Sequence, residues 1–88
     1  MRKLRTLDLS GTDVTDRGLE CLSGLVNLES LNLSGTEVTD RGTHHLKGLR
    51  KLNWLNLQNT AVTAAGLRRL QAALPACEIL SSTAQAQR

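Results

Sequence analysis

The sequence contains no phenylalanine and no tyrosine, and Trp54 is its single tryptophan. A core without aromatic rings has to be filled with aliphatic side chains, and eighteen leucines supply nearly all of it, with four valines and one isoleucine. Cysteine is also scarce. Cys21 and Cys77 stand far apart with no C-x-x-C pair, which argues against a zinc knuckle or a dithiol redox motif and reads as two ordinary thiols. No apolar run approaches the roughly 20 residues needed to cross a bilayer. Met1-Arg2-Lys3-Leu4-Arg5 begins with charge, but alternating polar and apolar residues follow it, not the continuous apolar stretch of a secretory signal. Together these absences set the expectation of a soluble cytoplasmic protein with no metal, no cofactor and no membrane partner.

What the chain does contain is one phrase written three times. Leu4-Arg-Thr-Leu7-Asp-Leu9-Ser-Gly-Thr12-Asp-Val14-Thr15 returns from Leu28 to Thr39 and again from Leu52 to Thr63, at a constant step of 24 residues. Self-similarity at such a period signals a stacked solenoid, because a single repeat cannot bury its own apolar face. With 88 residues the chain makes one small domain, and its core has to be efficient. The repeats run over about 4–27, 28–51 and 52–73. Residues 1–80 form the domain, and the polar, aperiodic stretch 81–88 reads as a disordered tail.

Within a repeat, Ser30-Leu31-Asn32-Leu33 alternates out, in, out, in, the period of a strand with one buried face. Equivalent strands should lie parallel, roughly 4.8 Å apart. Ser10-Gly11, Ser34-Gly35 and Gln58-Asn59 then supply turn-compatible residues. Thr12, Thr36 and Thr60 follow, where a hydroxyl can bond to backbone groups freed by the bend. Val14, Val38 and Val62 point inward ahead of the N-cap threonines Thr15, Thr39 and Thr63. Asp16 and Asp40 occupy the first helical turn, where a carboxylate suits the helix dipole, and Ala64 takes that place in the third repeat. Gly18, Gly42 and Gly66 recur inside the helices and point to a close approach between neighbouring helices. Thr43 replaces the leucine found at Leu19, which should loosen the middle repeat slightly.

The C-terminal end is ambiguous. Strict register would put Ser81 where Leu9 and Leu33 are buried, so a third repeat two residues shorter is preferred, with Leu74, Cys77 and Ile79 matching Leu28, Leu31 and Leu33. That makes 74–80 a closing strand with Cys77 as a small buried hydrophobe.

The L-x-x-L-x-L strand signature, complete at Leu4, Leu28 and Leu52, resembles the leucine-rich repeat family. The phrase from Thr12 to Leu19 is similar to the helical, cysteine-containing style found in F-box partner proteins and in bacterial repeat proteins, although Thr replaces the usual Asn or Cys after the strand. The resemblance covers roughly residues 3–80. It implies an α/β fold: a right-handed solenoid with parallel strands on the concave face, short helices on the convex face, a protein-binding role and no catalytic residue.

The stack should present polar residues in rows. One runs Thr6, Ser30, Trp54, the next Asp8, Asn32, Asn56, and the third Ser10, Ser34, Gln58. Trp54 reads either as an interface anchor or as a lid over the leucine core. A partner-binding site of Trp54, Asn56, Gln58, Asn32, Ser30 and Asp8 follows, suited to another protein's backbone and amides. His44 and His45 diverge by about 100° on a helix, which does not suit one metal. Cys21 should be an exposed thiol on the convex face, and Cys21 with His45 on a solvated helix face is a poor place for catalysis.

Net charge is +3, and residues 50–73 carry Arg50, Lys51, Arg68 and Arg69 with no acid. Phosphate binding there is a weaker reading, since no aromatic ladder accompanies the cations. The chain therefore reads as a non-catalytic protein-interaction module. Its principal alternative is a structural end-piece of a longer or self-stacking array, because no capping segment covers the first strand.

Overall fold

The computed structural model describes residues 3–82. Strands and helices alternate: β1 (Thr6–Asp8), α1 (Asp16–Leu22), β2 (Ser30–Asn32), α2 (Asp40–Leu46), β3 (Trp54–Asn56), α3 (Ala64–Ala73) and β4 (Glu78–Leu80). The strands form one parallel sheet in the order β1-β2-β3-β4. Leu7, Leu31, Leu55 and Ile79 stand side by side across it. This is the α/β leucine-rich solenoid that the repeat implies.

Each strand is short because its last residue turns the chain. Oδ1 of Asp8, Asn32 and Asn56 accepts the backbone N–H of Ser10 (2.9 Å), Ser34 (3.0 Å) and Gln58 (2.9 Å), an Asx-type turn repeated three times. Gly11, Gly35 and Asn59 then adopt left-handed φ values of 71°, 72° and 60°. Glycine takes this conformation freely and asparagine better than most residues. Thr12, Thr36 and Thr60 donate their hydroxyls to the carbonyls of Leu9, Leu33 and Leu57 at 2.6, 2.7 and 2.8 Å. The threonine ladder is thus a set of local bonds, one inside each bend.

The core is a leucine column. Leu28, Leu31, Leu33, Val38, Leu46, Leu49 and Leu55 are fully buried. Burying one leucine side chain contributes about 1.5–3 kcal/mol. In the first repeat Leu4, Leu7, Leu9 and Val14 are only half-buried, because no coil among the described residues lies on that side. Thr43 is buried, and its hydroxyl donates to the Asp40 carbonyl at 2.6 Å, so the substitution for leucine leaves no polar group unpaired.

The coils are pinned at their helix starts. Asp16 accepts from the Thr39 N–H at 2.7 Å and from the Thr39 hydroxyl. Asp40 does the same with Thr63, again 2.7 Å from the N–H. These carboxylates therefore act between repeats, beyond their effect on their own helices. They also account for two glycines. A Cβ on Gly42 would collide with Asp16 Oδ1, and one on Gly66 would stand 2.5 Å from Asp40 Cγ. The close approach is between a glycine and the preceding coil's carboxylate. Gly18 has no such neighbour, and its Cβ would meet only Val14 Cγ1, at 3.2 Å.

Capping follows the same pattern. The Thr39 hydroxyl accepts from the Arg41 N–H and that of Thr63 from the Gly66 N–H, each at 3.3 Å. Thr15 has the extended backbone of an N-cap but makes no side-chain cap bond. Donation to a carboxylate orients the hydroxyls of Thr39 and Thr63, and among the described residues no carboxylate accepts from the Thr15 hydroxyl.

The C-terminal register corrects the shortened third repeat. Leu55 pairs with Ile79, not with Cys77, so the step remains 24 residues. Leu28, Leu52 and Cys77 share one corner bond, donating N–H at 3.0 Å to Leu25, Leu49 and Leu74 respectively. Cys77 therefore takes the corner place of Leu52. The corner arrives one residue late, after a helix of ten residues instead of seven, and one residue fewer separates it from the strand. Ser81 consequently occupies the buried place of Leu33 and Leu57. Gln71 secures this altered corner, donating Nε2 to the carbonyls of Leu74 (3.0 Å) and Cys77 (2.9 Å). Of the tail expected over 81–88, Ser81 is buried and Ser82 accepts the Asn59 N–H at 3.2 Å. The remainder, 83–88, lies outside the described residues.

Candidate protein-binding face

The strand register brings the sequence-derived site residues together. Thr6, Ser30 and Trp54 are lateral neighbours, as are Asp8, Asn32 and Asn56. The corrected register lengthens both rows, adding Glu78 beside Trp54 and Leu80 beside Asn56. Sequence reasoning missed these two residues because the 22-residue step assigned them to other places. The signal that would have found them is the constant step of 24 itself.

Trp54 is half-buried, and its indole N–H has no hydrogen-bond partner among the described residues. Asn32 and Asn56 are half-buried as well. Each uses Oδ1 in the Asx turn, which leaves Nδ2 without a partner among the described residues. The side chains of Ser30 and Gln58 make no internal hydrogen bond there either. Asp8 is engaged at Oδ1 alone, which accepts from both the backbone N–H and the hydroxyl of Ser10 (2.9 and 2.7 Å). The hydroxyl bond foremost, then the N–H bond, holds the Asp8 carboxyl below the usual aspartate range.

At one rim of the sheet, Lys3, Arg5, Asn27, Glu29 and Lys51 line an open groove of about 300 Å³. Lys51 Nζ donates to Asn27 Oδ1 at 3.0 Å, and Arg5 Nε stands 4.0 Å from Glu29 Oε2. Arg50 lines a different groove, of about 430 Å³, with Leu52, Leu74, Pro75 and Cys77. The basic set Arg50, Lys51, Arg68 and Arg69 is thus divided between two grooves and the exposed surface of α3.

Cys21 is exposed and Cys77 buried, and both are free thiols. Burial, and secondarily the Glu78 carboxylate, pushes the Cys77 thiol up from its ordinary value. His44 is exposed and His45 half-buried. Among the described residues no cluster of His, Cys, Asp or Glu could hold a metal, and no helix is long and apolar enough to cross a membrane.

The repeat geometry, the leucine column and the polar rows are those of a leucine-rich repeat protein. The family described as Leucine rich repeat matches residues 2–62, and the chain belongs to it. The chain is similar to a solved leucine-rich repeat protein of Leptospira interrogans, at 23% identity and a TM-score of 0.51. The similarity covers 86% of this chain and 25% of that one, and it bears on the fold alone. No curated protein matches the chain. Domains of this family serve in general as scaffolds for binding other proteins.

Proposed function

We propose that the chain is a non-catalytic module that binds another protein through its strand face, with Trp54 at the centre and Asn32, Asn56, Gln58, Ser30 and Asp8 around it. The observation that carries the reading is the set of unused donors on that face: the indole N–H and two asparagine amides, aligned by the sheet. No buried side-chain polar atom among the described residues lacks a partner, so these donors are open to solvent and to a binding partner. A large, half-exposed tryptophan within a polar row has the composition of an interface anchor. Two free thiols suit a reducing compartment such as the cytoplasm.

Affinity capture from native lysate, run in parallel with wild type and Trp54→Ala, tests the assignment. Loss of such an anchor costs about 2 kcal/mol or more, roughly 30-fold in affinity. The partner should vanish from the variant while its circular dichroism stays unchanged. Equal recovery on both baits would remove the site.

Self-stacking through β1 is a second reading, favoured by the half-exposed leucines of the first repeat. A copy stacked there would find no carboxylate staple, since Ala64 stands where Asp16 and Asp40 stand in the earlier repeats. Light scattering over a dilution series separates the two, and a monomer mass at every concentration excludes stacking.

A further inference from the structure

The strand face has a chemical bias of its own. The Asx turns fix the orientation of Asn32 and Asn56, because only Oδ1 can accept a backbone N–H. What each presents outward is therefore a donor, and Trp54 adds a third. The charged residues of the lengthened rows are Asp8 and Glu78, both acidic and both exposed, at opposite edges of the sheet. No lysine, arginine or histidine stands in the rows. In a chain of net charge +3, a face carrying −2 is an acidic strip on a basic molecule. Lys3, Arg5 and Lys51 are gathered in the rim groove with Glu29, and Arg50 lines the other groove beside Cys77.

We propose that the partner presents an extended cationic segment to this face, an inference that rests on the strand face being the binding surface. Backbone carbonyls of the segment accept from the Asn32 and Asn56 amides and from the indole N–H. An arginine or lysine lies over the Trp54 ring, next to Glu78. Trp54 and Glu78 are register partners on neighbouring strands, roughly 4.8 Å apart, so one cation reaches both. The ring attracts it through its quadrupole and the carboxylate through its charge. The rim cations repel the same segment and set which way it lies.

Trp54 makes the test direct, since any tryptophan emission change reports this one side chain. Three blocked 12-residue peptides, serine alternating with arginine, glutamine or glutamate, are titrated into the full chain at low salt. The arginine peptide should saturate the signal and bind at least about fivefold tighter than the glutamine peptide, with the glutamate peptide weakest. Glu78→Lys should weaken the arginine peptide by about fivefold or more. Glu20→Lys, the same charge change on the exposed surface of α1, should leave it unaltered. Equal affinity for arginine and glutamine peptides, or equal damage from the two substitutions, overturns the cationic assignment. Saturation by only the glutamine or glutamate peptide also overturns it but leaves the binding face standing. Silence from all three overturns it as well, and the face itself is then judged by the Trp54→Ala capture.

Discussion

Replacing Gly66 with alanine should destabilise the protein, although alanine is the better helix former. The gain in helix propensity is about 1 kcal/mol. The new methyl group, however, would stand against both oxygens and Cγ of Asp40 and displace its carboxylate. That carboxylate holds the Thr63 N–H and hydroxyl, two charge-assisted bonds. With Thr63 solvent-exposed, the pair contributes about 2–3 kcal/mol, towards the low end for bonds to a charged group. A net loss of about 1–2 kcal/mol follows for Gly66→Ala. In an Asp40→Ala background the obstacle is gone, and the same substitution should stabilise by up to about 1 kcal/mol. The sign therefore inverts between backgrounds, a coupling of about 2–3 kcal/mol. Gly18→Ala serves as the internal control, since its methyl group meets only the Val14 side chain, at 3.2 Å, and no carboxylate, and its effect should stay within about 1 kcal/mol of zero. Urea unfolding with a shared m-value measures all of these. A Gly66→Ala effect of the same sign and size in both backgrounds would refute the staple.

Two further outcomes follow from the titratable groups. Native protein should take up one equivalent of iodoacetamide, at Cys21, while Cys77 reacts only after denaturation, because its thiol is buried and its ionisation disfavoured. Two rapid equivalents in the native state would place Cys77 at the surface. Asp8 should titrate below the usual aspartate range, as followed by NMR of its carboxyl carbon, and Ser10→Ala should raise its midpoint. Because its folded value is depressed, the stability it supplies is complete above the unfolded pKa and is lost as pH falls through the folded one.

The repeating parts of this molecule are legible in its sequence and the joints between repeats are not. Leucine alternation at Leu31 and Leu33 defines a strand with one buried face, and the 24-residue step places Ser30 beside Trp54 and Asn32 beside Asn56. Asp40 shows the limit. Its position in the first turn of α2 is visible in one dimension, but its bond to Thr63, 23 residues on, belongs to the stacked state. The C-terminal register failed for a related reason. Hydrophobicity favoured Cys77 and Ile79 as inward strand residues, whereas the sheet's hydrogen bonds fix the step at 24 and place Ser81 in the core. Backbone pairing outweighed side-chain polarity at that one position. For the same reason Glu78 and Leu80 were absent from the site read from the sequence.

Inter-strand NOEs on the isotope-labelled protein test the stack most directly. The account predicts cross-peaks linking Leu7 to Leu31, Leu31 to Leu55, and Leu55 to Ile79, the parallel register of one continuous sheet. Cross-peaks from Leu55 to Cys77, or none between Leu31 and Leu55, would contradict it.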